Sequence, residues 1–411
     1  MRQRRLAARW VLPVSGAPIE FGALLVSADG RIQSVGPQRD VPQPADVASV
    51  TFDDAALLPG LINTHTHLEL TGFEGLIPQT DFPAWILRLR ELKTTRTLDQ
   101  YLAAARRGLA DCYAAGITTV ADTGDSGAVF RVLSEADASG IAYQEVFGPD
   151  PAQLDESLRG LQGRIRDLSG LIRGRVRLGV SPHAPYTVSG PLFRAVADWS
   201  RAESLPIAVH IAESIAESKF LRAGTGPFAE AWRARGIRLA GSSGGSPINW
   251  LAQHGVLSPL CLCIHAVQVG SDDIRRLAEA GAAVAHCPLS NQAHRHGVAP
   301  VAEMLHAGMR VGLGTDSVAS VGRLDLLAEA RLAGRHASLE AGKLLDLCTL
   351  GGARALNLAA EIGSLEPGKW ADCTVIRLPP GDGTPAERVI ASGPSDVLRT
   401  YVGGREVYRA A

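Results

Sequence analysis

The stretch 57-LLPGLINTHTHLEL-70 joins a short apolar run to two histidines that are two residues apart. Successive side chains of a β-strand point to opposite faces, so a strand through this stretch places His65, His67 and Glu69 on one face. Imidazole is a ligand for Zn²⁺ and similar divalent ions. Taken alone, the spacing indicates either a metal site or the polar edge of an ordinary strand.

The composition describes a globular protein with enough apolar residues for a large core. Of 411 residues, 46% are hydrophobic and 20% are charged, and the net charge is −1. This charge gives no electrostatic reason to expect binding to nucleic acid or to an anionic membrane. The sequence shows neither a secretory signal nor an apolar run of the roughly 18 residues that span a bilayer. We expect a cytoplasmic protein.

Seven further apolar runs resemble the opening stretch, and most of them end in His, Glu, Asp or Cys. They alternate with helical segments such as the one that begins at Thr97, where Gln100 completes a capping box. Eight strand–helix units with polar strand ends predict a (β/α)₈ TIM barrel, whose site lies at the carboxyl ends of the strands. The seven runs are ITTVAD, IAYQEVFGP, VRLGVSPHAP, LPIAVHIAE, LCLCIHAV, AAVAHCP and RVGLGTDS.

The two ends of the chain have a different pattern. Near the N-terminus, GALLVSADGRIQSVG contains two strand-like runs joined by Asp-Gly, which is a strong hairpin signal. The C-terminal residues again suggest short strands and turns. We predict a small β-sandwich-like domain built from residues 1–59 and 364–411, beside a barrel of residues 60–363.

The ionisable residues at the predicted strand ends form a set that shares one rim of the barrel. Each member alone has an ordinary structural explanation; Asp316, for example, could cap a turn or a helix. A shared position at the rim favours a joint function for the whole set. The set comprises His65, His67, His183, His210, Glu213, His265 and Asp316.

Six segments in this order resemble the amidohydrolase superfamily, and in particular its cytosine/adenosine-deaminase-like branch. They are PGLINTHTHLE, HIAES, CIHAV, HCPLSN, GLGTDS and GSLEPGKWADCTVI, between Leu58 and Ile376. The resemblance implies one divalent metal ion, with Zn²⁺ expected and Fe²⁺ as the alternative. It implies these roles: metal ligands His65, His67, His210 and Asp316; general acid/base Glu213; orientation of the attacking water by His265 and Asp316; substrate contacts His183 and Asn291.

The implied reaction is the release of ammonia after hydroxide attacks an aminopurine-type ring carbon. Binuclear relatives that hydrolyse cyclic amides usually carry a carboxylated lysine on the fourth barrel strand. The fourth strand here, VRLGVSPHAP, has no lysine, and none of the four lysines lies on a predicted barrel strand. The sequence therefore favours a mononuclear aminohydrolase.

The loop after the first barrel strand offers a guide to the substrate. HTHLEL together with FPAWILRLRELK resembles bacterial deaminases of 6-aminodeoxyfutalosine, an adenine nucleoside of menaquinone synthesis. The alternatives are deaminases of S-adenosylhomocysteine, methylthioadenosine, guanine or cytosine, and triazine hydrolases. A non-catalytic interaction protein is a remote alternative. We predict that Glu69 and Trp85 contact this small-molecule substrate, and a homodimer stays open.

Four further residues are left open by the sequence. Arg88 and Arg90 in ILRLR are interpreted as solvated or ion-paired, although either could bind a substrate carboxylate. His294 and His296 in QAHRHG are interpreted as parts of a solvated loop. Substrate contact and a second metal are the alternatives for these two histidines.

Overall fold

The computed structural model describes residues 3–78, 80–238 and 244–411. The strands of these residues form two sheets, one of seven strands and one of eight. The strands are β1 (Arg4–Val11), β2 (Ile19–Val26), β3 (Ile32–Pro37), β4 (Ala48–Pro59), β5 (Leu61–Thr66), β6 (Ile117–Gly124), β7 (Ser139–Val146), β8 (Arg175–Pro182), β9 (Ile207–Ile211), β10 (Cys261–His265), β11 (Ala283–His286), β12 (Arg310–Leu313), β13 (Cys373–Arg377), β14 (Val397–Val402) and β15 (Arg405–Arg409).

The eight-stranded sheet is the predicted barrel. Strands β5 to β12 follow one another in chain order, and every neighbouring pair is parallel. The barrel closes where Thr66 pairs with Asp316, and the N–H groups of Thr315 and Asp316 both donate to the carbonyl of His65. A Cβ atom at Gly314 would lie 2.8 Å from the nitrogen of His65, so glycine permits this close approach.

Helices follow the barrel strands and extend the loops above them. The helix that begins after Thr97 has the predicted capping box with Gln100. No helix among the described residues is long and apolar enough to cross a membrane. The helices are α1 (Phe82–Thr94), α2 (Leu98–Ala114), α3 (Ala128–Glu135), α4 (Leu154–Ser169), α5 (Gly190–Ala202), α6 (Ile215–Ala223), α7 (Pro227–Ala234), α8 (Pro247–Gln253), α9 (Ser271–Glu279), α10 (Pro288–Ala293), α11 (Val301–His306), α12 (Val318–Val321), α13 (Leu326–Ala337), α14 (Ala341–Cys348), α15 (Leu350–Ala355) and α16 (Pro385–Ala391), with short 3₁₀ turns at Leu68–Leu70, Pro151–Gln153 and Pro394–Asp396.

The barrel strands are buried on both faces, which explains their near-continuous apolar character. Side chains such as Ile62, Ile141, Leu262 and Ile264 fill the lower interior of the barrel. A larger apolar cluster packs the helices against the outside of the strands. The polar rim therefore rests on a well-packed core that holds its side chains in place.

The seven-stranded sheet combines both chain ends in the order β15-β14-β13-β4-β1-β2-β3. It includes the predicted Asp-Gly hairpin between β2 and β3. The Arg175 guanidinium joins this sheet region to the barrel through a bidentate ion pair with Asp372, at 2.7 Å and 2.9 Å. The prediction of a separate β-region from both ends is confirmed, whereas its boundaries at residues 59 and 364 stay a prediction.

Candidate active site

The four residues predicted to bind a metal converge at the carboxyl end of the barrel. The ring centroid of His65 lies 4.8 Å from that of His67 and 4.9 Å from that of His210. Asp316 Oδ1 lies 3.5 Å from Nε2 of His65 and 3.4 Å from Nε2 of His67. Strands β5 and β9 and the turn after β12 thus bring together residues from distant parts of the chain.

The surroundings of these side chains fit a divalent ion. Both ring nitrogens of His65 are buried without a hydrogen-bond partner among the described residues, although buried polar atoms are normally paired. His67 Nδ1 donates to the carbonyl of Thr123 at 2.8 Å, and His210 Nδ1 faces the carbonyl of His183 at 3.3 Å. Fixing Nδ1 in this way leaves Nε2 free, as is usual for metal-binding histidines.

The charge states of the cluster also suit a metal. Burial lowers the pKa of His65 and of His210, and it lowers the pKa of His67 to about 3. Burial alone would raise the pKa of Asp316, but the adjacent imidazoles His65 and His67 hold it well below its ordinary value. Neutral imidazoles and an ionised carboxylate are the forms that bind metal ions.

A buried carboxylate stands beside this cluster. Glu213 Oε1 lies 3.5 Å from Nε2 of His265 and 3.2 Å from Nε2 of His296, and Tyr186 donates to Oε2 at 3.4 Å. Burial alone would raise the pKa of Glu213, but His265 and His296 outweigh it and lower the pKa to about 2. Glu213 is therefore an ionised carboxylate that is ready to accept a proton.

A cavity of about 530 Å³ opens above these residues. Phe82, Trp85 and Leu89 of helix α1 form an apolar wall, and His183 lies on another part of the lining. His183 is neutral because burial lowers its pKa to about 3. The cavity has the mixture of a large apolar surface and a few polar groups that is typical of small-molecule sites. Trp85 and His183 thus line the cavity, in keeping with their predicted substrate contacts.

Comparison with known proteins identifies the family. The sequence model of the amidohydrolase family matches residues 56–407. The chain belongs to the amidohydrolase family. The predicted resemblance is confirmed.

Two relatives illustrate the similarity of this amidohydrolase to purine-nucleoside deaminases. It is 32% identical to the 5-methylthioadenosine/S-adenosylhomocysteine deaminase of Symbiobacterium thermophilum, over 97% of this chain and 92% of that protein. It is 33% identical to the aminodeoxyfutalosine deaminase of Deinococcus radiodurans, over 74% of this chain and 73% of that protein. Deaminases of this kind hydrolyse carbon–nitrogen bonds in cyclic amidines, and the prediction of such an enzyme is confirmed.

Solved structures show the same architecture. An adenosine deaminase from Xanthomonas campestris with bound zinc has a TM-score of 0.84 and 25% identity, covering 98% of this chain and 92% of that one. The Helicobacter pylori aminofutalosine deaminase in complex with methylthio-coformycin has a TM-score of 0.86 and 20% identity, covering 98% of this chain and all of that one (100%). The second likeness supports the fold alone. The predicted barrel fold is confirmed.

Glu69 of this amidohydrolase does not occupy the position that alternation along a strand predicted. Strand β5 ends at Thr66, and Glu69 lies in the 3₁₀ turn Leu68–Leu70. Its carboxylate contacts Nζ of Lys93 at 2.9 Å and accepts the N–H of Ser126 at 3.3 Å. Among the described residues Lys93 lines the cavity and Glu69 does not. Glu69 therefore contacts Lys93, which lines the cavity, and its own contact with a substrate stays a prediction.

Asn291 also lies behind the cavity and not on its surface. Its side chain is buried, and Oδ1 lies 2.9 Å from Nδ1 of His265. His265 is part of the cavity lining, and Asn291 is absent from the described lining residues. Asn291 contacts the His265 ring in this structure, and its direct contact with a substrate stays a prediction.

Lys93 is a site residue that the sequence interpretation missed. Its Nζ lies 2.9 Å from Glu69 and 2.6 Å from Oδ1 of Asp125. Nearby, Glu145 has a buried Oε1 with no hydrogen-bond partner among the described residues, and burial raises its pKa to about 8. A functional lysine was expected only on a barrel strand, whereas Lys93 reaches the site from helix α1.

The second H-x-H pair is not a solvated loop, so that interpretation was wrong. His296 is buried against Glu213, and His294 lines the cavity with its ring 4.6 Å from that of Trp85. Within the described residues neither histidine belongs to a group of three or more potential metal ligands. The position of His294 and His296 just after HCPLSN was the sequence feature that could have placed them at the site.

Arg88 is exposed and paired with Glu91 at 2.6 Å, as expected.

Proposed function

We propose that this amidohydrolase is a mononuclear metal-dependent aminohydrolase that releases ammonia from an adenine nucleoside. The proposal rests on one observation: three neutral imidazoles and one ionised aspartate converge beside the ionised Glu213. His65, His67, His210 and Asp316 would hold the ion. Zn²⁺ is expected and Fe²⁺ is the alternative, because imidazole and carboxylate accommodate both.

A second metal in the same cavity is disfavoured. Glu145, His183 and His210 form another group whose potential ligand atoms are close together. His210, however, has only Nε2 free, because Nδ1 faces the carbonyl of His183. Glu145 and His183 alone are too few ligands for a second site.

The ion would supply hydroxide at neutral pH by lowering the pKa of water from about 15.7 to about 7. His265 Nε2 and the Asp316 carboxylate would orient the water for attack on the ring carbon that bears the amine. Glu213 would take up a proton and deliver it to the adjacent ring nitrogen, and later to the departing ammonia. Such acid–base groups contribute about 10²-fold to 10⁴-fold to the rate.

The cavity suits a purine with an extended substituent. Trp85 offers a flat apolar surface against which a base can stack. Arg90 also lines the cavity and makes no ion pair with a described residue, so it is free to bind a substrate carboxylate. These features support 6-aminodeoxyfutalosine as the substrate, which would place the enzyme in menaquinone synthesis.

S-adenosylhomocysteine and methylthioadenosine are the second candidates. The observation in their favour is the extent of similarity, since the Symbiobacterium enzyme named for these substrates matches 97% of the chain and the aminodeoxyfutalosine deaminase matches 74%. Guanine, cytosine and triazine compounds are the remaining alternatives within the branch. A non-catalytic role is the remote alternative.

The decisive experiment combines metal analysis with an assay of ammonia release. The substrates are 6-aminodeoxyfutalosine, methylthioadenosine, S-adenosylhomocysteine, 5′-deoxyadenosine and adenosine, with guanine, cytosine and atrazine as comparisons. We expect one metal ion per chain and the highest kcat/KM on an adenine nucleoside. A fully metal-loaded protein that releases no ammonia from any of them would refute the proposal. Turnover of atrazine without ammonia would indicate a chlorohydrolase.

A cytoplasmic location and a homodimer remain predictions. So does a barrel domain bounded by residues 60 and 363. Fractionation, light scattering and limited proteolysis would test these three statements in turn.

A further inference from the structure

His296 is held against the predicted acid/base residue by contacts from several elements. Its Nε2 lies 3.2 Å from Oε1 of Glu213, in contact but without the alignment of a hydrogen bond, and it has no other hydrogen-bond partner among the described residues. Its ring centroid lies 4.5 Å from that of Phe82 on helix α1. Its carbonyl accepts from Nε2 of Gln268 at 2.6 Å, and its N–H donates to the carbonyl of Asn291 at 2.9 Å. Backbone and ring are both fixed, so the contact with Glu213 is built into the fold.

Glu213 Oε1 lies between two imidazoles: His265 lines the cavity, whereas His296 lies behind the described lining residues. The His265 ring is on the side of the proposed metal ligands, with its centroid 5.8 Å from that of His65. The His296 ring is on the side of the apolar wall, next to Phe82 and His294. His265 thus lies on the side of the metal ligands, whereas His296 lies behind Phe82 and His294, which line the cavity.

We propose that His296 is a positioning residue that holds the Glu213 carboxylate during turnover by directing its Nε2–H at Oε1. This inference rests on the proposed function. The proton that Glu213 takes up is then carried on its other oxygen, Oε2, and leaves from there with the amine. The Nε2–H of His296 stays in place throughout, so no atom is gained or lost.

The electrostatics around Glu213 agree with this geometry. His265 and His296 oppose the effect of burial, which alone would raise the pKa of Glu213. Removing His296 takes away one of these two groups, so the pKa of Glu213 rises and the acid limb of kcat/KM moves to higher pH. The titratable groups that interact with Glu213 are His265 from β10, His296 and His294 from the loop after α10, Tyr186 and His183 from the loop after β8, Asp316 from the turn after β12, Glu217 from α6, His65 from β5 and Cys287 from the turn after β11.

His294 provides a matched control in the same loop. Its Nε2 lies 3.1 Å from Oγ of Ser320, and its ring packs against Trp85. It lines the substrate cavity without the short contact to Glu213 that His296 makes. Loss of His294 should therefore affect substrate binding, whereas loss of His296 should affect proton transfer.

The test compares H296A, H296Q and H294A with the metal-loaded wild type, using adenosine and S-adenosylhomocysteine. We expect H296A to lower kcat about 10-fold to 100-fold, with KM changed less than about threefold. The acid limb should move to higher pH. H296Q should recover part of kcat, because its amide can donate to Oε1 but does not fill the space of the imidazole ring. H294A should chiefly raise KM and leave the acid limb in place.

Wild-type kcat and an unshifted acid limb in H296A would overturn the inference. If the variants fail to fold, ¹⁵N spectroscopy of the histidine rings in wild type and E213Q decides instead. We expect the Nε2 resonance of His296 to move in E213Q, and an unchanged resonance would also overturn the inference. If the wild type releases no ammonia from any adenine nucleoside, the proposed function fails, and the spectra still decide whether His296 holds Glu213.

Discussion

Glu217 accepts the backbone N–H of Glu213, four residues earlier in the chain, through Oε2 at 2.8 Å. Its other oxygen accepts the N–H of Ala212 at 2.9 Å. Ala212 has a φ of 51°, in the left-handed region that alanine seldom adopts. The buried side chain of Glu217, whose pKa burial raises to about 8, therefore holds the strained turn that directs Glu213 toward the site.

Replacing Glu217 by alanine should impair both stability and catalysis. Two buried N–H groups lose their acceptor, so we expect the free energy of unfolding to fall by about 1–3 kcal/mol. Displacement of Glu213 by about 1 Å can lower kcat about 10²-fold. Urea unfolding and steady-state kinetics measure these effects, with exposed Glu230→Ala as the control. A kcat within threefold of wild type would show that the turn does not need this support.

Metal binding and proton transfer should separate by mutation. Glu213→Gln should abolish turnover and keep the metal, because the proposed ligands do not include Glu213. His65→Ala should reduce both metal content and activity, because it removes one of four ligands. Elemental analysis together with the ammonia assay checks both variants. Loss of metal from Glu213→Gln would contradict the proposed division of roles.

Lys93→Met should destabilise the protein strongly. The change leaves the carboxylate of Glu69 buried without its cation, which typically costs about 3–5 kcal/mol. The double variant with Glu69→Gln should recover most of this loss, because the fully buried carboxylate is then gone and the remaining partner, Asp125, is partly exposed to solvent. Lys343→Met is the control: Lys343 is exposed, and Asp346 keeps a second ion pair with Arg354, so the loss should be about 1 kcal/mol or less. Equal losses for the two lysines in urea unfolding would exclude a special role for Lys93.

Glu145 should make stability depend on pH. Burial raises its pKa to about 8, and Asp125 adds to this effect. The unfolded chain ionises this carboxyl above about pH 4.3, whereas the folded chain keeps it protonated. The free energy of unfolding of the metal-free protein should therefore fall as pH rises from about 4.5 to about 8.

Glu145→Gln should remove that part of the decline, because its side chain does not titrate. Urea unfolding of both chelator-treated proteins at several pH values measures the difference. Parallel pH dependences for wild type and Glu145→Gln would show that Glu145 is already ionised in the folded protein.

The strand pattern and the donor set were predictable because both depend on local sequence. An apolar run followed by a polar residue marks the end of a buried parallel strand, and such ends meet at one rim. His65, His67, His210 and Asp316 therefore converge although they are far apart in the chain. Their type as metal donors could also be read from the residues, and the family resemblance suggested their roles.

The directions of the loop side chains depended on tertiary packing. The prediction for Glu69 assumed that strand β5 continues to residue 69. The strand ends at Thr66, and the 3₁₀ turn that follows directs the Glu69 side chain toward Lys93. His296 contacts Glu213 because two βα loops meet above the barrel. The hydrogen bonds between neighbouring strands fix where the strand ends lie, and the strands themselves follow from local sequence. The sequence by itself therefore determined the barrel and its potential metal donors. Loop residues take their positions from elements distant in the chain, so only the tertiary structure decided which of them reach the site.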